Sequence, residues 1–205
     1  MEPYLYTGNN PIMFTDPTGM SKDDIIILLG NKRSGHWTGH MAMLIGDDNN
    51  GWMYYSMDGG DSTYTDRHTI ETFKTIKEFN ESPYSAYRSN YDKGKVTDAE
   101  TDNKGNVIQR YDEAYRIKTT PEQDALMNEA AKKETHSKYS ELNIGGNNCT
   151  QNVRSALDAA GLKNGEYSSD EDIWTIVPNF TPNAKYQEIK QSNKGEDVSN
   201  LFKLD

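Results

Sequence analysis

Gly145-Gly-Asn-Asn-Cys-Thr-Gln-Asn-Val-Arg-Ser-Ala-Leu-Asp-Ala-Ala-Gly-Leu162 contains the single cysteine of the chain and decides how the rest is read. Its pattern is that of a helix carrying the cysteine in its first turn. Asn148 is a favourable N-cap, and Gln151 is spaced to reach back in a capping box. Cys149, Val153, Ala156, Leu157 and Ala160 then share one face at helical spacing, so the sulfur begins the buried stripe. Gly161 suits a left-handed C-cap, with Leu162 supplying the apolar contact that follows it. A thiol at a helix N-terminus meets the positive end of the dipole and free N–H groups, both of which favour the nucleophilic thiolate. A lone cysteine is equally at home as a small buried hydrophobe.

Upstream, Gly39-His-Met-Ala-Met-Leu-Ile-Gly46 is apolar on both faces except at His40, as expected of a central strand. Asp47 to Gly51 is a turn, and Trp52 to Asp58 alternates as the returning strand. Residues paired across an antiparallel hairpin point to the same face. A three-residue loop therefore places Ser56 or Asp58 opposite His40, whereas a four-residue loop places Met57 there. In every case the returning strand offers the imidazole a polar neighbour, and a satisfied core histidine is the alternative to a functional one. Asp24 to Gly30 is a compact apolar run that suits a buried strand or a short helix.

The remaining elements are simpler. Ile70, Phe73, Ile76 and Phe79 predict a short helix over 69–79. Residues 90–110, charged and punctuated by glycine, form a solvated hairpin or flexible insertion. Tyr111 to Lys118 predicts a strand, and Thr120-Pro121-Glu122-Gln123 opens a helix to about Glu134 with proline at its first position. Tyr139 to Ile144 leads into the cysteine helix. A proline-punctuated stretch, 177–182, precedes a short helix from about Asn183 to Gln191. His36 reads as a surface residue, and His68 and His136 lack metal-ligand spacing. Asp58-Gly-Gly-Asp61 lacks the alternating carboxylates of a calcium loop. Neither a metal nor another cofactor is called for. Trp52, Tyr54 and Tyr55 suit sheet packing.

Bulk properties bound the function. The 205 residues suit one domain with an appendage. A net charge of −10 and a pI of about 4.9 argue against a nucleic-acid surface. No apolar run approaches the roughly 20 residues of a membrane span. One cysteine forms no internal disulfide. No basic and then apolar segment marks a secretory leader, so export would need another carrier. A mean hydropathy of −0.92 leads one to expect long solvated excursions.

Two resemblances give these features a setting. Tyr4, Tyr6, Asn9-Asn10-Pro11, Asp16-Pro17 and Gly19 lie in a turn-rich start, a short hairpin or an extended peptide. They resemble the end of the core repeat region of Rhs-family polymorphic toxins, with Met20 in place of the usual leucine. That resemblance implies that residues 1–20 are a remnant of the shell, cut near this point, with Asp16 matching an aspartate of its cleavage motif. Residues 21–205 would then be the variable toxin domain, with a charged insertion at about 90–110.

The order of Gly39-His40, a polar returning strand and Asn148-Cys149 on a late helix resembles the circularly permuted NlpC-type papain-like proteins. The Tyr115-Arg116-Ile117 strand, the Pro121 helix and Tyr139 follow the same plan. The resemblance implies an α+β papain-like fold with a central antiparallel sheet and the cysteine at the N-terminus of a packed helix. Relatives with acyltransferase activity carry a second histidine on the returning strand, where this chain has Ser56 and Asp58. Cys149 would be the nucleophile, His40 the base, and Asp58 or Ser56 the orienting group.

Together the two imply an antibacterial effector exported inside a larger protein and acting in the periplasm or cytoplasm of a target cell. Its partners would be the Rhs shell before release and a cognate immunity protein. Amide or peptide bonds of peptidoglycan are the favoured substrate. An acyl-lipid hydrolase or acyltransferase, a protein-directed protease or deamidase, and a non-enzymatic binding module with an inert cysteine are the alternatives.

Overall fold

The computed structural model describes residues 23–30, 39–58, 68–87, 99–137, 148–165 and 181–203. The Rhs-like residues 1–20, His36, Asp61 and the 139–144 segment lie outside them. The architecture is mixed α+β, built on a six-stranded antiparallel sheet.

The strands are β1 (Asp24–Gly30), β2 (His40–Asp47), β3 (Gly51–Met57), β4 (His68–Phe73), β5 (Glu113–Lys118) and β6 (Gly195–Asp197), in the order β4-β3-β2-β1-β5-β6. The open choice at 24–30 resolves as a strand. It lies between β2 and β5 and is covered on both faces, which is why Ile25 to Leu29 are all fully buried. β2 is also internal, as its two apolar faces require.

Strand alternation divides the core in two. Ile25, Ile27, Leu29, Met41, Met43 and Ile45 face one layer of helices: α2 (Pro121–Thr135), α3 (Cys149–Ala159) and α4 (Pro182–Ser192). Ile26, Leu28, Ala42, Leu44 and Tyr54 face the opposite side. There Tyr111, the short helix α1 (Ile76–Asn80) and the Ser199–Phe202 3₁₀ turn close over them. Trp52, Tyr54 and Tyr55 are buried within this packing. Truncating a buried side chain such as Ile27 would cost about 2–4 kcal/mol, from lost burial and the cavity left behind.

The helix termini follow their sequence signals. Thr120 and Gln123 form a reciprocal capping box on α2. Asn148 caps α3 by accepting the Gln151 N–H at 2.9 Å, but the Gln151 side chain donates to Ser155 Oγ and does not reach back. At the other end Gly161 has φ +68°, and the Leu162 N–H returns to Leu157 O at 2.9 Å, closing a left-handed cap.

The helix expected over 69–79 is instead β4 followed by α1. Thr69, Ile70 and Thr72 are β-branched, and the free edge of β3 gives them a ladder. Thr75 then accepts the Glu78 N–H and starts α1. No helix among the described residues is long and apolar enough to cross a membrane.

Candidate active site

The β2–β3 hairpin sets the site's geometry. Asp47 pairs with Gly51 across a three-residue loop, and the ladder runs to Ala42↔Ser56. The same register carries Asp58 opposite His40. Asp47 holds the loop by accepting the Asn50 N–H at 2.9 Å and the Asn49 N–H. Asp48 accepts the Trp52 indole N–H at 2.7 Å.

His40 Nε2 lies 3.0 Å from Ser56 Oγ and 3.5 Å from Asp58 Oδ1. Ser56 Oγ donates in turn to Asp58 Oδ2 at 3.3 Å. Proton counting assigns the tautomer: with the one hydroxyl proton given to the carboxylate, Nε2 is the donor to Ser56 Oγ. The neutral ring therefore carries its lone pair on Nδ1, which no described residue engages. His40 is held well below the usual histidine range, at about 4, by burial and then by the Arg110 guanidinium, against the pull of Asp58.

Arg110 is the member that the sequence did not reveal. It comes from the end of the stretch expected to be a solvated insertion. Exposure of that kind does hold for residues 103–107, but not here. Its guanidinium binds Asp58 Oδ1, with both side chains about nine-tenths buried (10 % and 8 % exposed). It also lies 5.4 Å from the centre of the Tyr111 ring. Its backbone N–H donates to Ser85 O at 2.8 Å. Burial would raise the Asp58 pKa, but Arg110 and His40 outweigh it and hold the carboxyl ionised. The only sequence hint was an arginine one residue before the strand predicted to start at Tyr111.

Cys149 is the first residue of α3 and is 6 % exposed. Burial raises its pKa. Hydrogen bonding from the Met41 backbone and from the Thr150 hydroxyl and backbone opposes this, and the Asp58 charge adds to it. The depressed thiol expected from the helix N-terminus is thus overridden by desolvation. Met41 packs on the helical layer, so by alternation the neighbouring His40 ring points to the opposite face, where its centroid is 6.2 Å from that of Tyr111. The structure therefore brings His40, Ser56 and Asp58 together, and sets Cys149 beside the backbone of the same strand end. Imidazole and sulfur do not hydrogen-bond to each other.

The strand end is crowded. Gly39 has φ +81°, and a Cβ there would come within 2.2 Å of Asn183 Oδ1, a buried oxygen with no hydrogen-bond partner among the described residues. Elsewhere, His68 Nδ1 contacts Thr135 O at 2.6 Å and His136 Nδ1 contacts Lys132 O at 2.6 Å, each tied to a helix end.

Fold and site define a mixed α+β domain with a buried His–Ser–Asp–Arg network at a hairpin mouth and a helix-terminal cysteine across the strand. In comparison with known proteins, no protein family, no curated protein and no solved structure matches the chain.

Proposed function

We propose that this chain is the toxin domain of an Rhs-type effector and acts as a cysteine hydrolase of the permuted NlpC-type, papain-like plan. Cys149 is the nucleophile, His40 the base, and Asp58 the orienting carboxylate, acting partly through Ser56. One observation carries the reading. The imidazole is held at Nε2 with no described residue on Nδ1, one residue from the Met41 backbone that meets the Cys149 sulfur.

The resting pair is a neutral thiol and a neutral imidazole, so the proton moves during attack. The ring stands on the Tyr111 side of β2 and the sulfur on the helical side, so attack requires the two to meet around the strand end beside Gly39. Nδ1 takes the thiol proton, sulfur bonds to the substrate carbonyl carbon, and the carbonyl electron pair moves to oxygen. The Cys149 N–H, which has no acceptor among the described residues, would donate to that oxyanion. The intermediate collapses, the amine leaves with the Nδ1 proton, and water attacks the thioester by the same path.

The favoured substrates are amide bonds of peptidoglycan. Acyl-lipid esters, acyl transfer, and proteolysis or deamidation of a protein are the alternatives within this chemistry. A cognate immunity protein would guard the producer, and the Rhs shell would hold the domain until release in the target cell's periplasm or cytoplasm. The test is expression in the bacterial cytoplasm against expression with an added export signal, comparing wild type with Cys149→Ala. Lysis only on export supports peptidoglycan, and toxicity only inside supports a cytosolic substrate. Equal toxicity of Cys149→Ala overturns the hydrolase.

A non-enzymatic binding module is favoured by the buried sulfur, which does not hydrogen-bond to the imidazole. Under that second reading Cys149→Ala retains full toxicity, and His40→Ala alters only stability.

A further inference from the structure

We propose that Arg110 is a positioning residue of this site: by fixing and balancing Asp58 it keeps His40 an uncharged base, protonated only at Nε2. This rests on the hydrolase reading of Cys149 and His40.

Charge counting carries the inference. Among the described residues the groups facing His40 are Ser56 and Asp58 at the end of β3, Tyr54 further along it, and Arg110 and Tyr111 before β5, while Cys149 lies on the other face of the strand. Tyr54 and Tyr111 share a hydrogen bond at 2.6 Å in the core and stay neutral. Among the described residues that leaves one anion, Asp58, and one cation, Arg110, already paired. A proton on His40 would put a second cation into a buried site beside the first, which is unfavourable.

Without Arg110 the balance reverses. Asp58 Oδ1 is 3.5 Å from Nε2, so an imidazolium becomes its natural counterion. The extra proton would occupy Nδ1, the nitrogen that must take the thiol proton. A purely structural arginine would instead only tie the 99–111 segment to the hairpin, and that segment is already anchored to the turn after α1 by the Arg110 N–H to Ser85 O bond.

The test is NMR titration of the full chain with isotope-labelled histidine, His40 being assigned with His40→Gln, in wild type, Arg110→Gln, Arg110→Lys and Arg110→Gln/Asp58→Asn. The wild-type His40 is expected to show the Nε2–H tautomer and no protonation above pH 5.5, about one unit below the ordinary histidine midpoint. In Arg110→Gln the midpoint is expected to rise by at least about one pH unit. It should stay near the wild-type position in Arg110→Lys and fall back in the double variant.

A folded Arg110→Gln with an unmoved His40 midpoint overturns the inference. So does a wild-type His40 titrating near its ordinary pH, which needs no variant to fold. A burst of p-nitrophenol from p-nitrophenyl acetate, compared between wild type and Cys149→Ala, is the separate check on the hydrolase. A shifted midpoint in Arg110→Gln without any Cys149-dependent burst supports the charge balance and contradicts the functional reading beneath it.

Discussion

Ser56 Oγ lies 3.0 Å from His40 Nε2 while giving its own proton to Asp58, so the serine fixes which imidazole nitrogen is basic. Removing the hydroxyl leaves Nε2 with only the longer 3.5 Å approach to Asp58 Oδ1. Ser56→Ala is therefore expected to lower Cys149-dependent turnover by about tenfold, the loss of one net hydrogen bond of about 1–1.5 kcal/mol. Histidine ¹⁵N shifts should show a mixed tautomer. An unchanged tautomer together with an unchanged rate would remove Ser56 from the site.

The thiol is expected to be slow to react at rest. Burial holds Cys149 above the ordinary thiol range despite the helix N-terminus. Iodoacetamide labelling at pH 7 should be slower than for a model thiol and should rise with pH to beyond 9. Fast labelling at pH 7 with a plateau would mean that the helix dipole and the donors around the sulfur outweigh desolvation.

Asp124 gives the fold an alkaline weakness. It is 7 % exposed and accepts the Thr119 hydroxyl at 2.5 Å. Burial raises its pKa to about 7, Thr119 opposes this, and Asp23, Asp24 and Asp47 add to the rise. In this window the folded chain binds more protons than the unfolded one, so stability falls as pH rises from about 4 to about 7 and is level above that. Asp124→Asn should flatten that slope and stabilise the protein at pH 8 by about 1–3 kcal/mol, read from urea unfolding at a series of pH values. An identical slope in the variant would rule the group out.

Gly39→Ala should be costly for two reasons. The left-handed backbone at φ +81° is strained for any side chain, and the new methyl would meet Asn183 Oδ1 at 2.2 Å and Gly30 O at 3.3 Å. A loss of about 2–4 kcal/mol is expected by thermal unfolding. Activity should fall further than stability, because the strand start that carries His40 would move. A neutral substitution would show that α4 gives way easily.

What the sequence made legible was local. β2 was readable because its two apolar faces fit a central strand, and α3 because its cap, stripe and terminal glycine agree, whereas Asp24–Gly30, a short apolar run, suited a strand or a helix equally. The choice among Ser56, Met57 and Asp58 narrowed once the hairpin loop was seen to have three residues. β4 was obscured because Ile70, Phe73, Ile76 and Phe79 keep a three-residue period across a strand–helix junction. β6 was invisible: Gly195-Glu196-Asp197 is exposed and has no strand propensity. It is held by pairing with β5 and by Lys190 on Asp197 at 2.7 Å. Arg110 looked like one more charge in a polar stretch, because nothing local distinguishes an arginine that folds inward onto a carboxylate 52 positions away. The side of β2 on which His40 stands was the least legible of all, since alternation shows which residues share a face but not which face the helices cover.

The central claim is that the Cys149 sulfur acts as a nucleophile with His40 as its base. Intact-mass and peptide mass spectrometry after exposure to p-nitrophenyl acetate tests it directly. The expected result is one acyl group on Cys149 in the wild type, formed roughly 10²–10⁴-fold more slowly in a folded His40→Ala variant. No adduct on Cys149, or an adduct formed equally fast without His40, would contradict it.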